Sequence, residues 1–153
     1  MTPAQYSTFK AAILADANLT NLVATGQTGA IAQYYAQDST FIVWRSIMTS
    51  DMSRLAVTSA IDQLDNLTTG KRDSLLWLLQ ADVKPSDINV RTGIDNLCGS
   101  QTALKTALQA AQKRNANLLE KIFATGTGTN ANPGNLVVEL IPGIRDVDRA
   151  LSS

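Results

Sequence analysis

Between residues 101 and 124, Leu104, Leu108, Ala111, Asn115, Leu118 and Ile122 recur at spacings of four, three, four, three and four. That is the period of an α-helix with one apolar stripe, so the spacing predicts a long amphipathic helix over about 101–124, with Gly126 just past its end. A helix of this kind needs other helices to cover its stripe. The fold class that follows is mainly α: a helical bundle with a small β element over about 41–46 and 136–141.

Local signals place the remaining elements. Thr2, Pro3 and Gln5 supply a capping residue, a proline at the first helical position and a partner for a capping box, and Tyr6, Phe9 and Ile13 then share one face, predicting a helix over about 3–16. Leu19, Leu22 and Val23 continue as a short helix that Gly26 can end, and Thr28 can cap a third carrying Ile31, Tyr34 and Tyr35. From Phe41 to Ile47 the chain is rich in β-branched and aromatic residues and lacks helical spacing, which favours a strand over the competing short buried helix. Val57, Ile61 and Leu64 suggest a helix ending near Asn66. The stretch from Lys71 to Leu79 is apolar nearly all round after its first turn and is expected at the centre of the core; Pro85, Ser86 and Asp87 open a further helix that Gly99 can stop.

The segment from Thr125 to Asn135, rich in Thr, Gly and Asn, is the one clear flexible loop, and it leads into Leu136, Val137, Val138, Glu139, Leu140 and Ile141, which read as a strand. A turn at Pro142 and Gly143 and a short helix from Arg145 to Leu151 complete the chain. With 153 residues, no internal repeat and no linker between composition blocks, the chain is expected to form a single domain over 1–153.

Composition narrows the chemistry. The thirteen bases balance thirteen acids, which argues against the strong positive field of a general nucleic-acid binder. Charged residues are only 17% of the chain, so much of its surface must be Ser, Thr, Asn, Gln, Ala and Gly, which are cheap to desolvate against a partner. There is no histidine, which closes the Ser-His-Asp triad and the usual neutral-pH general base, and a single Cys98 closes zinc binding as well as an intramolecular disulfide. Cys98 lacks a flanking base and reads as an inert core thiol. Asp62, Asp65 and Asp73 do not follow a calcium loop, and the glycines near Thr125 lack the Lys and Ser/Thr of a phosphate loop. No enzyme, metal or cofactor is expected. No apolar run approaches a membrane span, and the start lacks the basic and apolar regions of a secretory signal, so the chain is expected in a reducing cytosol.

Two groups of residues stand out for binding. Lys105, Lys113, Arg114 and Lys121 would lie on the long helix, with 105/113 and 114/121 each two turns apart, and could face the phosphates of DNA; the plainer reading is a solvated helix face without interleaved aromatics. Thr125, Gly126, Thr127 and Gly128, followed by Leu136, Val137 and Val138, could add a strand to a partner's sheet edge, or else pair within the same domain with residues 41–47. Asn115, inside the stripe, is expected as a core amide bonded to backbone.

Several phrases taken together carry a resemblance. Val43-Trp44-Arg45, Asn89-Val90-Arg91-Thr92-Gly93-Ile94, Ala111-Gln112-Lys113-Arg114-Asn115-Ala116, the run from Glu120 to Gly128, and Asp146-Val147 before Ala150-Leu151 resemble small structural proteins encoded among the head and neck genes of tailed bacteriophages. The likeness spans about residue 40 to the C-terminus. It implies a virion protein made in the host bacterial cytoplasm: a head-to-tail connector or adaptor that forms a homo-oligomeric ring and meets the portal and the tail or neck proteins. A tail terminator, a head-decoration protein, or a small nucleic-acid-binding module built on the basic helix face are the alternatives. The resemblance carries over no catalytic residues, and a neutral chain suits only non-specific contact with passing DNA.

Overall fold

The computed structural model describes residues 1–136 and 139–153, and it is mainly helical with a two-stranded antiparallel sheet. Tertiary contacts divide the chain into two compact units: a first unit of residues 1–42 and 115–153, and a second of residues 43–114. Each has its own cluster of buried side chains.

In the first unit, α1 (Pro3–Ala15) starts as expected. Thr2 Oγ1 accepts from the Gln5 N–H at 3.3 Å while Gln5 Oε1 accepts from the Thr2 N–H at 2.7 Å, so two helix-end donors are satisfied and the helix buries Tyr6, Phe9 and Ile13. A 3-10 turn (Ala17–Leu19) capped by Asp16 leads to α2 (Thr20–Ala24), and α3 (Thr28–Tyr35) follows after Gly26, which takes a positive φ. The last two helices of this unit are α9 (Leu118–Phe123) and α10 (Ile144–Ser152); α10 packs on α1 and α3. Phe9 meets Tyr35 edge to face at 4.9 Å, and Ile31, Leu119, Val147 and Ala150 close the core around them.

The second unit is α4 (Ser50–Thr58), α5 (Ile61–Leu64), α6 (Thr69–Leu79), α7 (Ile88–Cys98) and α8 (Thr102–Ala111). Thr49 caps α4 and Asp87 caps α7. Gly99, at φ 58°, ends α7 where an L side chain would be strained. Met48, Leu75, Ile94, Cys98, Leu104 and Leu108 are fully buried together. The helix expected at the centre of the core, α6, buries only Leu75 and Leu79; Leu76 and Trp77 point outward.

The largest correction concerns residues 101–124. The expected long helix stops at Ala111, and β1 (Asp38–Trp44) pairs with β2 (Lys113–Asn117) before α9 begins. Both passages of the chain between the two units fall within these strands. Two causes act at the break. Asn117 and Glu120 form a second capping box, with the Glu120 N–H donating to Asn117 Oδ1 at 2.8 Å and the Asn117 N–H to Glu120 Oε2 at 3.1 Å, so a fresh helix starts at Leu118. Long-range bonds hold the preceding residues extended: the Ser39 hydroxyl donates to the Ala116 carbonyl at 2.7 Å, and the Arg45 N–H to the Gln112 carbonyl at 2.9 Å. The apparent stripe is therefore two half-stripes: Leu104 and Leu108 serve the second core, while Leu118 and Ile122 pack against the first. Asn115, expected as a core amide, is exposed on β2.

The first strand runs over 38–44, shifted from the expected 41–46, and its partner is 113–117 in place of 136–141. Leu136 and Glu139 to Ile141 adopt no strand; Val137 and Val138 lie outside the described residues. No helix among the described residues is long and apolar enough to cross a membrane.

Candidate functional site

The loop singled out for docking is fastened to its own unit. Thr125 and Asn135 exchange backbone hydrogen bonds at 3.0 and 2.9 Å, and the Thr129 N–H donates to the Asn132 carbonyl at 3.1 Å. The outer side of β1 is also occupied: the Ile42 N–H donates to the Gly128 carbonyl, and the Gly134 N–H to the Ile42 carbonyl, both at 2.8 Å. The Phe41 ring fills the space beside both glycines so closely that a Cβ on Gly128 would lie 2.2 Å from it, and one on Gly134 2.5 Å. Only glycine fits there, and Gly128 also has φ 65°. The loop thus bonds to its own strand at Ile42 through Gly128 and Gly134, which differs from the expected alternative of a strand at 136–141 pairing with residues 41–47. Thr125, Gly126 and Thr127 are exposed, Gly128 is buried, Leu136 is half-buried, and Val137 and Val138 lie outside the described residues.

The four basic residues do not form one helical face. Because the helix ends at Ala111, Lys105 stands on α8, Lys113 and Arg114 on β2, and Lys121 on α9 in the first unit. Lys105 is paired with Asp95 at 3.1 Å. What the structure brings together is a different set. Trp44 at the end of β1 lies under the Arg91 guanidinium, 4.3 Å from carbon to ring centroid, and the Lys113 ammonium sits 5.3 Å from the same ring. Arg91 reaches from α7 and donates from Nη1 to the Pro85 carbonyl; Arg45, the next residue after Trp44, donates from Nε to the Ala111 carbonyl at 3.1 Å. Burial holds the Arg91 and Lys113 cations below their ordinary pKa ranges, with the carboxylates of Asp87 and Asp95 respectively opposing the shift. Lys113 was legible as a candidate; Trp44 and Arg91 were not, since residues 44, 91 and 113 share no local spacing.

The second unit also carries a groove of about 440 Å³, whose walls mix Val57, Ile61, Leu64, Leu76 and Leu79 with the polar Ser53, Arg54, Thr58 and Gln80. Leu55 on α4 and Trp77 on α6 are each 74% exposed. Cys98 is fully buried, and burial pushes its thiol up to about 11, so it stays protonated and packed at neutral pH. In the first unit, the Tyr6 hydroxyl donates to Asp146 Oδ1 at 3.0 Å and the Arg149 guanidinium lies 5.5 Å from the Tyr6 ring; these contacts tie α10 to α1. Among the described residues no three of His, Cys, Asp and Glu converge as metal ligands. Comparison with protein-family models, with curated proteins and with solved structures finds no match to this chain.

Proposed function

We propose that this protein is a structural subunit of a virion, a head-to-tail connector or adaptor whose copies join as a ring between portal and tail. The observation that carries the reading is the outward-facing apolar surface of the second unit. Trp77 stands in solvent on the wall of a hollow that it shares with Leu78, Ala81 and Val83, Leu55 on α4 is equally exposed, and large exposed aromatics flanked by apolar hollows are the usual anchors of protein contacts. Charge favours one mode of contact between copies. The first unit holds four bases and six acids, the second nine bases and seven acids, so head-to-tail contact of unlike units is attractive where contact of like units is not. Head-to-tail contact is what closes a ring. The resemblance of several sequence phrases to phage head and neck proteins is what points to a virion, and the work asked of such a subunit would be positional.

Imaging of particles that carry the protein tests this directly. A layer of density from this chain between portal and tail supports the connector reading. Density at the tail end or on the capsid surface would move it to a terminator or decoration protein, and absence from particles would overturn it.

A further inference from the structure

We propose that Trp77 of one copy seats in a hollow on the first unit of the next copy, an inference that rests on the ring reading and names the residues that join the ring. Trp77 stands out from α6, 74% exposed, with Leu78 beside it and the carboxylates of Asp73 and Asp82 lining the hollows on either side. An indole placed in this way brings a large apolar area and a single N–H donor to any contact.

The receiving hollow lies among α1, α3 and α9 and measures about 270 Å³. Its walls include Ala12, Tyr34, Leu118 and Ile122, with Asp16 and Lys121 as its charged members. An apolar cavity of about 150 Å³ holds benzene, so the volume admits an indole. The Tyr34 hydroxyl donates to Asp16 Oδ2 at 2.8 Å, and this bond holds the Asp16 carboxyl below its ordinary pKa and so ionised at neutral pH. A carboxylate on the wall of a largely apolar hollow is the acceptor that an indole N–H requires on leaving water. Lys121, exposed near the end of α9, supplies a cation for the acids that flank Trp77.

Charge decides between this seat and the groove on the second unit. Docking into that groove would set nine bases and seven acids against the same excess of base, whereas the first unit has six acids and four bases and attracts the face that carries Trp77. Indole and hollow are different patches, so each copy offers one of each and the contact runs head to tail.

The test is the mass in solution of the full chain carrying Trp77→Ser, of the full chain carrying Ala12→Glu, and of the two mixed in equal amounts. The wild type should assemble beyond a dimer. Each variant alone should self-associate at least about thirtyfold more weakly. The mixture should give a one-to-one dimer that grows no further, since one variant keeps the hollow, the other keeps the indole, and the joined pair has neither to spare. Lys121→Glu should weaken assembly by about tenfold, and it replaces Ala12→Glu in the mixture if circular dichroism shows that variant unfolded. Thr58→Phe, in the groove of the second unit, should change nothing. A mixture of folded variants that stays monomeric, a loss in Thr58→Phe equal to that in Ala12→Glu, or an assembled wild type indifferent to Ala12→Glu would overturn the seat and leave the ring reading standing. A wild type that is monomeric at every concentration would remove both.

Discussion

The two units solve the same packing problem differently. The first, built from both ends of the chain, buries an aromatic core of Phe9 and Tyr35 and is tied shut by contacts distant in sequence: Tyr6 to Asp146, Lys10 to the Ser153 carbonyl, and Asn117 Nδ2 to the Leu140 carbonyl at 2.7 Å. The second is continuous in sequence, has an aliphatic core, and turns Leu55, Ile61, Leu76, Trp77 and Ile88 toward solvent. Long-range bonds and exposed apolar side chains occur in both units, as with Gln63 Oε1 accepting from the Ala103 N–H in the second and Leu14, Ile141 and Ile144 exposed in the first, but it is the second that exposes a tryptophan beside an apolar hollow. The aromatic residues make the comparison measurable, because Tyr6, Tyr34 and Tyr35 lie in the first unit and Trp44 and Trp77 in the second.

The strongest way to break the comparison is Phe9→Ala. Emptying a fully buried ring site should cost about 3–5 kcal/mol, and chemical denaturation should show the tyrosine near-UV signal lost at much lower denaturant than tryptophan fluorescence. Coincident shifts of both probes would mean that the units unfold as one cooperative body. Gly128→Ala should have a smaller effect, about 1–3 kcal/mol from overpacking against Phe41, again in the tyrosine signal; Phe41→Ala in the same chain should return part of it, since the clash is with that ring.

Alkaline pH gives the mildest test. The Cys98 thiol moves from 9.0 to about 11 and the Tyr35 phenol from 10.0 to about 12, burial being the leading cause in both. Each native group keeps its proton where the unfolded chain has lost it, so the unfolded state binds fewer protons and stability falls as pH rises. The second unit should begin to weaken above about pH 9 and continue to about 11, the first between about 10 and 12. Denaturant midpoints from tryptophan fluorescence across that range check the earlier onset, and Cys98→Ala should remove it.

What was legible in the sequence was local. The Thr2, Pro3 and Gln5 start of α1 and its Tyr6, Phe9, Ile13 face lie within a few turns of one another, and they appear as expected. Residues 101–124 misled because helical spacing continued across a break made by distant partners: nothing near Ala116 announces Ser39. One local sign was available, since Asn117 followed three residues later by Glu120 is a helix start, and it sits inside the run that the periodicity joined. The loop from Thr125 to Asn135 is legible as a loop, but its attachment depends on Phe41, more than eighty residues earlier. The Trp44 cluster was hidden for the same reason, having one member on each of three elements.

The central claim, that the exposed face of the second unit joins copies of this chain, is tested most directly by the mass of the protein in solution across a range of concentrations. The account predicts a closed oligomer that becomes a monomer when Leu55→Ser and Trp77→Ser are combined, with helicity unchanged because both side chains already stand in solvent. A wild-type chain that stays monomeric at every concentration, or an oligomer indifferent to both substitutions, would contradict it.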